Sequence, residues 1–300
     1  MVGLLGRVGA VVALLGSLVA GRPAQQVVEY GGVGAVVPGR GETVGVEALT
    51  ADGRARGLTV RVGRDGRVSY EAETEASAPG RTSAAGRAEG AEPGASPARA
   101  ACADTAYSTA GHKEYGTYLW HVGDGPMPGG LTRDAARKVF EESIGTITAE
   151  RNDCGLAGTG GPQARYLSAT DREAGIDRAG RCSTRDGVSV WDAGELPQDV
   201  VAVTCSWAVT MPDGGPNDLI EADVRFNTRH HRFTDTPGER CSDAYDVRAV
   251  GTHEAGHVFG LGHVGTGHEN LTMYTNSYTC STRARTLGRG DVLGLRALYR

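Results

Sequence analysis

The chain has 300 residues, 39% of them apolar and 22% charged, with a formal net charge of -5. That length suits one ordinary domain with extra sequence, or two small ones. The charge balance excludes nucleic-acid binding driven by a basic field, which needs excess Lys and Arg on one face, so no nucleic-acid partner is expected.

Residues 1–24 read as a signal peptide. Arg7 precedes an apolar run over residues 8–20, broken only by Gly and Ser, and small residues and Pro23 follow. The run is too short to cross a bilayer as a helix but suits a cleaved secretory signal, with cleavage after Ala20, Gly21 or Ala24 left open. The expectation is a secreted, extracellular chain with no stable membrane insertion after cleavage.

Residues 25–72 alternate apolar and polar residues between glycines, and the turn at residues 63–66 predicts a short hairpin. Residues 73–101 shrink to Ala, Gly, Ser, Pro, Glu and Arg, with almost nothing to bury, and read as a disordered linker. Residues 25–101 are therefore expected to be a pro-segment or spacer, open to self-cleavage in the Ala/Gly/Pro stretch, with a small adhesion module as the alternative. Every cysteine, histidine and tryptophan lies after it, which places the working domain at residues 102–300.

In that domain, residues 116–122 read as a strand and residues 131–147 as an amphipathic helix capped by Thr132, with Ala136, Phe140, Ile144 and Ile147 at helical spacing. Strands are predicted at residues 164–169, 187–192, 200–210 and 219–227, and helices at 243–259 and 291–299. The order predicts an α+β fold, a mixed sheet packed on helices. Six cysteines without a CxxC pair predict three disulfides among fifteen pairings. Sequential neighbours are the expectation, with Cys241–Cys280 bracketing the motif described next.

Residues 251–263 read GTHEAGHVFGLGH. On a helix, His253 and His257 lie four residues apart on one face and can present imidazoles to one ion. Glu254, one step round, can reach a metal-bound water without being a ligand, which makes it a general base. Gly260 can adopt the positive φ that ends a helix and swing His263 back as third ligand. Three imidazoles leave a fourth zinc position open, as in catalytic sites. His112, His121, His230, His231 and His268 are read as solvated or core residues.

This segment resembles the extended zinc motif of metzincins, and its GLGH ending is closest to the matrixin branch. Leu271-Thr-Met273-Tyr274 resembles the Met-turn, residues 287–299 the final matrixin helix, and residues 221–227 the strand before the active-site helix. The resemblance implies a metzincin-like catalytic domain: a twisted mixed β-sheet with an active-site helix and a C-terminal helix. It implies a Zn2+-dependent metalloendopeptidase acting on protein or peptide substrates, with Met273 as an apolar floor under the metal. No Pro-Arg-Cys-Gly switch is present, so latency through a cysteine has no supporting residue.

Substrate is expected to add as a strand to an edge at residues 200–207. The loop between His263 and Asp291 is expected to wall the specificity pocket, with Tyr274 and Tyr278 either contributing to it or packing in the core. Asp213, Asn217, Asp218 and Glu221 offer oxygen ligands for calcium, with a polar turn as the alternative. Two rival functions stay open, a metallohydrolase of a non-peptide substrate and a secreted binding or matrix protein with a structural zinc. Oligomeric state is not legible.

Overall fold

The structure, a computed structural model, describes residues 26–73 and 97–300. The expected signal peptide, and the expected linker from residue 74 to 96, lie outside the described residues.

The N-terminal segment forms β1 (Val27–Tyr30), β2 (Val33–Val36), β3 (Glu42–Thr50), β4 (Arg56–Val62) and β5 (Val68–Ala72). The β4–β5 hairpin closes at the expected turn, where Gly63 N–H donates to Arg67 O and Gly66 N–H to Gly63 O. Residues 97–101, expected as linker, are instead helical in α1 (Pro97–Ala103). Proline suits a first helical position and the turn after it is rich in Ala, while the Cys102–Cys154 disulfide pins the helix down.

The middle of the chain supplies β6 (Ser108–Thr109), β7 (His112–Lys113), β8 (Thr117–Val122), α2 (Arg133–Thr148), β9 (Gln163–Ala169), β10 (Arg181–Cys182), β11 (Ser189–Gly194), β12 (Val200–Val209) and β13 (Asn217–Asn227). After these come β14 (Phe233–Thr234), β15 (Tyr245–Asp246), α3 (Val247–Val258), β16 (Leu261–Gly262) and α4 (Arg289–Tyr299). The Thr132 hydroxyl caps α2 as expected, accepting from Ala135 N–H, and Ala136, Phe140, Ile144 and Ile147 lie on its buried face.

The main sheet runs β5-β4-β3-β12-β13-β11-β8-β9, with β7 beside β13. From β13 to β9 the neighbours are parallel, and from β13 to β5 they are antiparallel, giving a mixed α+β architecture. One core lies between this sheet and α2, α3 and α4, around Trp120, Trp191, Phe140, Phe226 and Phe259. A second forms where the N-terminal strands meet the rest of the chain, joining Val28, Val44, Val46, Leu58 and Val60 to Ile176, Leu196, Val203 and Trp207.

That second core overturns the expected free edge at residues 200–207. β12 lies inside the sheet, antiparallel to β13 on one side and to β3 on the other. Its sequence VVAVTCSWAV is apolar on both faces, and every residue from Val200 to Ala208 is buried. Val203, Cys205 and Trp207 face the N-terminal core, while Ala202 faces the helices, as strand alternation requires. A near-continuous apolar run is the mark of a strand covered on both faces, and the β1–β2 hairpin supplies the second cover.

All three disulfides join sequential neighbours, Cys102–Cys154, Cys182–Cys205 and Cys241–Cys280. Cys182–Cys205 ties β10 to β12 within the second core. Among the described residues, no helix is long and apolar enough to cross a membrane.

Candidate metal centre

α3 starts where the Asp246 carboxylate accepts from Ala249 N–H at 2.7 Å, an N-cap that satisfies one of the helix's free donors. Every residue of the helix but Arg248 is buried, so its polar residues His253, Glu254 and His257 have no solvent to answer them. It ends at Gly260, whose φ is +90° and whose N–H donates to His257 O at 3.0 Å. There the chain turns back through β16, which pairs with β6, and brings His263 to the helix.

The three Nε2 atoms converge: His253 to His257 at 3.0 Å, His257 to His263 at 3.1 Å and His253 to His263 at 3.2 Å. Nitrogens at tetrahedral corners about 2.05 Å from a zinc ion would stand about 3.3 Å apart, so the trio fits a metal to within a few tenths of an ångström. The outer nitrogens are anchored too. His253 Nδ1 donates to Thr272 O at 2.8 Å, His257 Nδ1 to Leu261 O at 2.9 Å, and His263 Nδ1 lies 2.8 Å from Glu73 Oε2. Such partners fix the tautomer that leaves Nε2 bare for a metal. Burial, reinforced by the neighbouring His263, pushes His253 down to about 3, and burial with the same crowding holds His257 well below the ordinary histidine range. Neutral imidazoles are the form that coordinates.

Glu254 shares the buried helix face. Its Oε2 accepts from the Thr204 hydroxyl at 2.5 Å, while Oε1 is buried with no hydrogen-bond partner. Burial pushes this carboxyl up to about 8, against the lowering effect of Thr204. A cation held by the trio would draw this carboxyl back towards its ionised form, and the unspent oxygen, next in sequence to a converging imidazole, is then suited to receive a proton. Met273 is buried with its thioether against Gly256 of α3. Its turn is held by Asp291, whose carboxylate accepts from the N–H groups of Thr272, Met273 and Gly288 at 3.0, 3.2 and 2.8 Å.

The N-terminal strands reach this centre. The end of β3 meets the loop after the Met273 turn, where Thr50 forms a parallel bridge with Asn276 and Thr275 Oγ1 donates to Gly53 O. Leu49 lines a pocket with His253, Leu271, Asn276 and Tyr278. Of the two tyrosines expected there, Tyr278 lines this pocket and Tyr274 stacks on Tyr278, ring centroids 6.4 Å apart.

The four residues offered for calcium do not converge. Asp213 accepts from Gly215 N–H in a turn, Asn217 Nδ2 donates to Thr43, and Glu221 is buried, accepting from the Asp186 and Gly187 N–H groups. Alternation along β13 separates side chains that lie close in sequence. His268 stands apart from the trio, with Nδ1 2.8 Å from Asp104.

Thr204, Asp291, Leu49, Glu47 and Glu73 are components that sequence reasoning missed, whereas His112, read as a solvated or core residue, is buried. A polar residue inside the apolar run of β12 was a usable signal for Thr204. Nothing local marks Glu73, at the edge of a low-complexity stretch.

His112 is buried against the end of α3, with Nε2 3.1 Å from His257 O and 3.3 Å from Val258 O. Carbonyls only accept, so this nitrogen carries the proton of a neutral ring. Burial lowers His112 to about 4, from 6.5. Between those values the unfolded chain binds a proton that the folded chain refuses, so stability falls as pH falls through the window. The expected contribution is about 2 kcal/mol lost by pH 5. Denaturant titrations at pH 7 and pH 5 should show a smaller difference for His112→Gln than for the wild type; an equal difference would place the acid sensitivity elsewhere.

Compared with known families, residues 206–300 match the matrixin model. The matched span contains the imidazole trio, Glu254, Met273 and Asp291, and excludes the N-terminal strands. No curated protein matches the chain.

Proposed function

Given that match, we propose that the chain is a secreted zinc-dependent endopeptidase in which His253, His257 and His263 hold the metal, Glu254 is the general base and Met273 lies under the site. The observation that carries this is the convergence of three Nε2 atoms at 3.0–3.2 Å on the helix that also presents a buried Glu254 Oε1 without a partner. A zinc ion held there would polarise the scissile carbonyl and make a water acidic enough to attack it near neutral pH. Glu254 Oε1 receives the proton of the attacking water and returns it to the leaving nitrogen. Thr204, bonded to Oε2, keeps the carboxylate aimed while it does so. A closed structural zinc site has no use for such a base, which disfavours the binding-protein reading. Three disulfides suit an oxidising, extracellular compartment.

The N-terminal strands are read as a pro-segment that keeps the described form latent. β3 pairs with β12, which would become a sheet edge open to an added substrate strand only once residues 26–73 leave, and Leu49 lines the pocket beside His253. Leu49 is 1% exposed, so Leu49→Asp removes about 2 kcal/mol of burial and adds the cost of placing a charge there. The open form should rise by roughly thirtyfold or more. Hydrolysis of an unstructured protein by the full chain, with chelator and with zinc restored, tests both steps. The expected result is chelator-sensitive cleavage, slow in the wild type and at least tenfold faster in Leu49→Asp. Bound zinc with no cleavage by either chain would sink the peptidase reading, and equal rates would sink the latency.

A further inference from the structure

Two of the three imidazoles are oriented from within the matrixin-like span, His253 by Thr272 O and His257 by Leu261 O. The third is not. His263 Nδ1 faces Glu73 Oε2 at 2.8 Å, a carboxylate 190 residues earlier in the chain, and Glu47 Oε2 lies 3.5 Å from the same nitrogen.

The register of the N-terminal strands explains how both carboxylates arrive. Glu47 on β3 sits opposite Gly57 on β4, and Glu73, just past β5, donates its backbone N–H to Gly57 O at 2.8 Å. Two successive antiparallel pairings therefore deliver residues 47 and 73 to one place beside His263. Glu47 Oε2 is buried with no hydrogen bond of its own, which leaves Glu73 as the acceptor for the ring. Glu47, Glu73 and His263 could also be taken as ligands of a second ion, their donor atoms lying within 4.8 Å of one another. That would require His263 to lose both ring protons while Nε2 serves the trio, whereas one N–H donated to a carboxylate needs no such cost.

We propose that Glu73 is a positioning residue for His263, so that the N-terminal sheet forms part of the metal centre as well as covering it. A carboxylate on Nδ1 holds the tautomer with Nε2 free, fixes the ring plane and makes the imidazole a stronger donor. By linkage, whatever factor the docked strands add to metal affinity, the metal adds to their docking. Release of residues 26–73 and weakening of the metal site are then one coupled event. The inference rests on the trio being the metal site.

The test is zinc affinity of the full chain by chelator competition, for wild type, Glu73→Gln, Glu73→Ala and His263→Ala, with the absorption spectrum of each cobalt(II)-substituted protein and the thermal midpoint of each metal-free protein. Glu73→Ala should bind zinc about 10–100-fold more weakly at unchanged stoichiometry, with a shifted cobalt spectrum. Glu73→Gln, which keeps the shape and an acceptor oxygen, should fall between it and wild type and serves should the alanine variant not fold. A lower thermal midpoint with wild-type affinity and spectrum would make Glu73 merely structural and overturn the inference. Tight zinc binding by wild type and both Glu73 variants, lost only in His263→Ala, would overturn it while leaving the metal site standing. A wild-type chain that binds no zinc would overturn both.

Discussion

Glu254→Gln should keep its zinc and lose roughly 10²–10⁴ in turnover, the usual worth of a positioned general base. The substitution is close to isosteric, which matters because Glu254 is fully buried and Thr204 Oγ1 already bonds to its Oε2. A glutamine oxygen can still accept that hydroxyl, so the helix packing and the imidazole trio keep their places. What is lost is the ability of Oε1 to take a proton. Alanine would be the poorer test, since it leaves a cavity and an unanswered hydroxyl and mixes misfolding with chemistry. Zinc content and cleavage rate, measured on the same preparation in the Leu49→Asp background, separate the two roles. Loss of zinc would mean that Glu254 helps to hold the ion, and near-normal turnover would move the base elsewhere.

The residues of that test were legible because their chemistry is local. His253, Glu254 and His257 lie close through helix geometry, and the turn at Gly260 on the same short segment brings back His263. The core face of α2 and its Thr132 cap were legible for the same reason, through periodicity and a capping residue. What failed was whatever depends on long-range pairing. The alternation in residues 25–72 indicates strands, yet nothing in it says that β3 pairs with a strand some 150 residues later. The compositional break at residues 73–101 gave no hint that Val44, Val46, Leu58 and Val60, on its far side, share a core with Val203 and Trp207. The sequence of β12 carried a warning, because an edge strand rarely keeps both faces apolar. Glu73 carried none: its contact with His263 exists only once three strands have paired in register.

Gly260→Ala should be among the most damaging single changes in the chain, because two independent costs fall on one methyl group. The first is backbone strain: at φ +90° a Cβ crowds the following carbonyl, for about 1–2 kcal/mol. The second is steric. A Cβ at residue 260 would stand 2.1 Å from His112 O, a backbone atom that cannot swing aside as a side chain could. Relief requires about an ångström of movement in β7 or in the turn itself. β7 carries the His112 ring that bonds to the last carbonyls of α3, and the turn carries His263, so either movement disturbs the trio. Gly267→Ala is the matched control, since residue 267 has φ +96° with nothing within 4 Å of the added methyl. It should cost only the strain and leave zinc affinity unchanged. Gly260→Ala should lose about 3 kcal/mol or more of stability and weaken zinc at least tenfold. Denaturant titration of the metal-free proteins and chelator competition on both variants would check this. If the two variants behave alike, strain alone accounts for Gly260, and the approach of His112 to the turn is slack enough to yield.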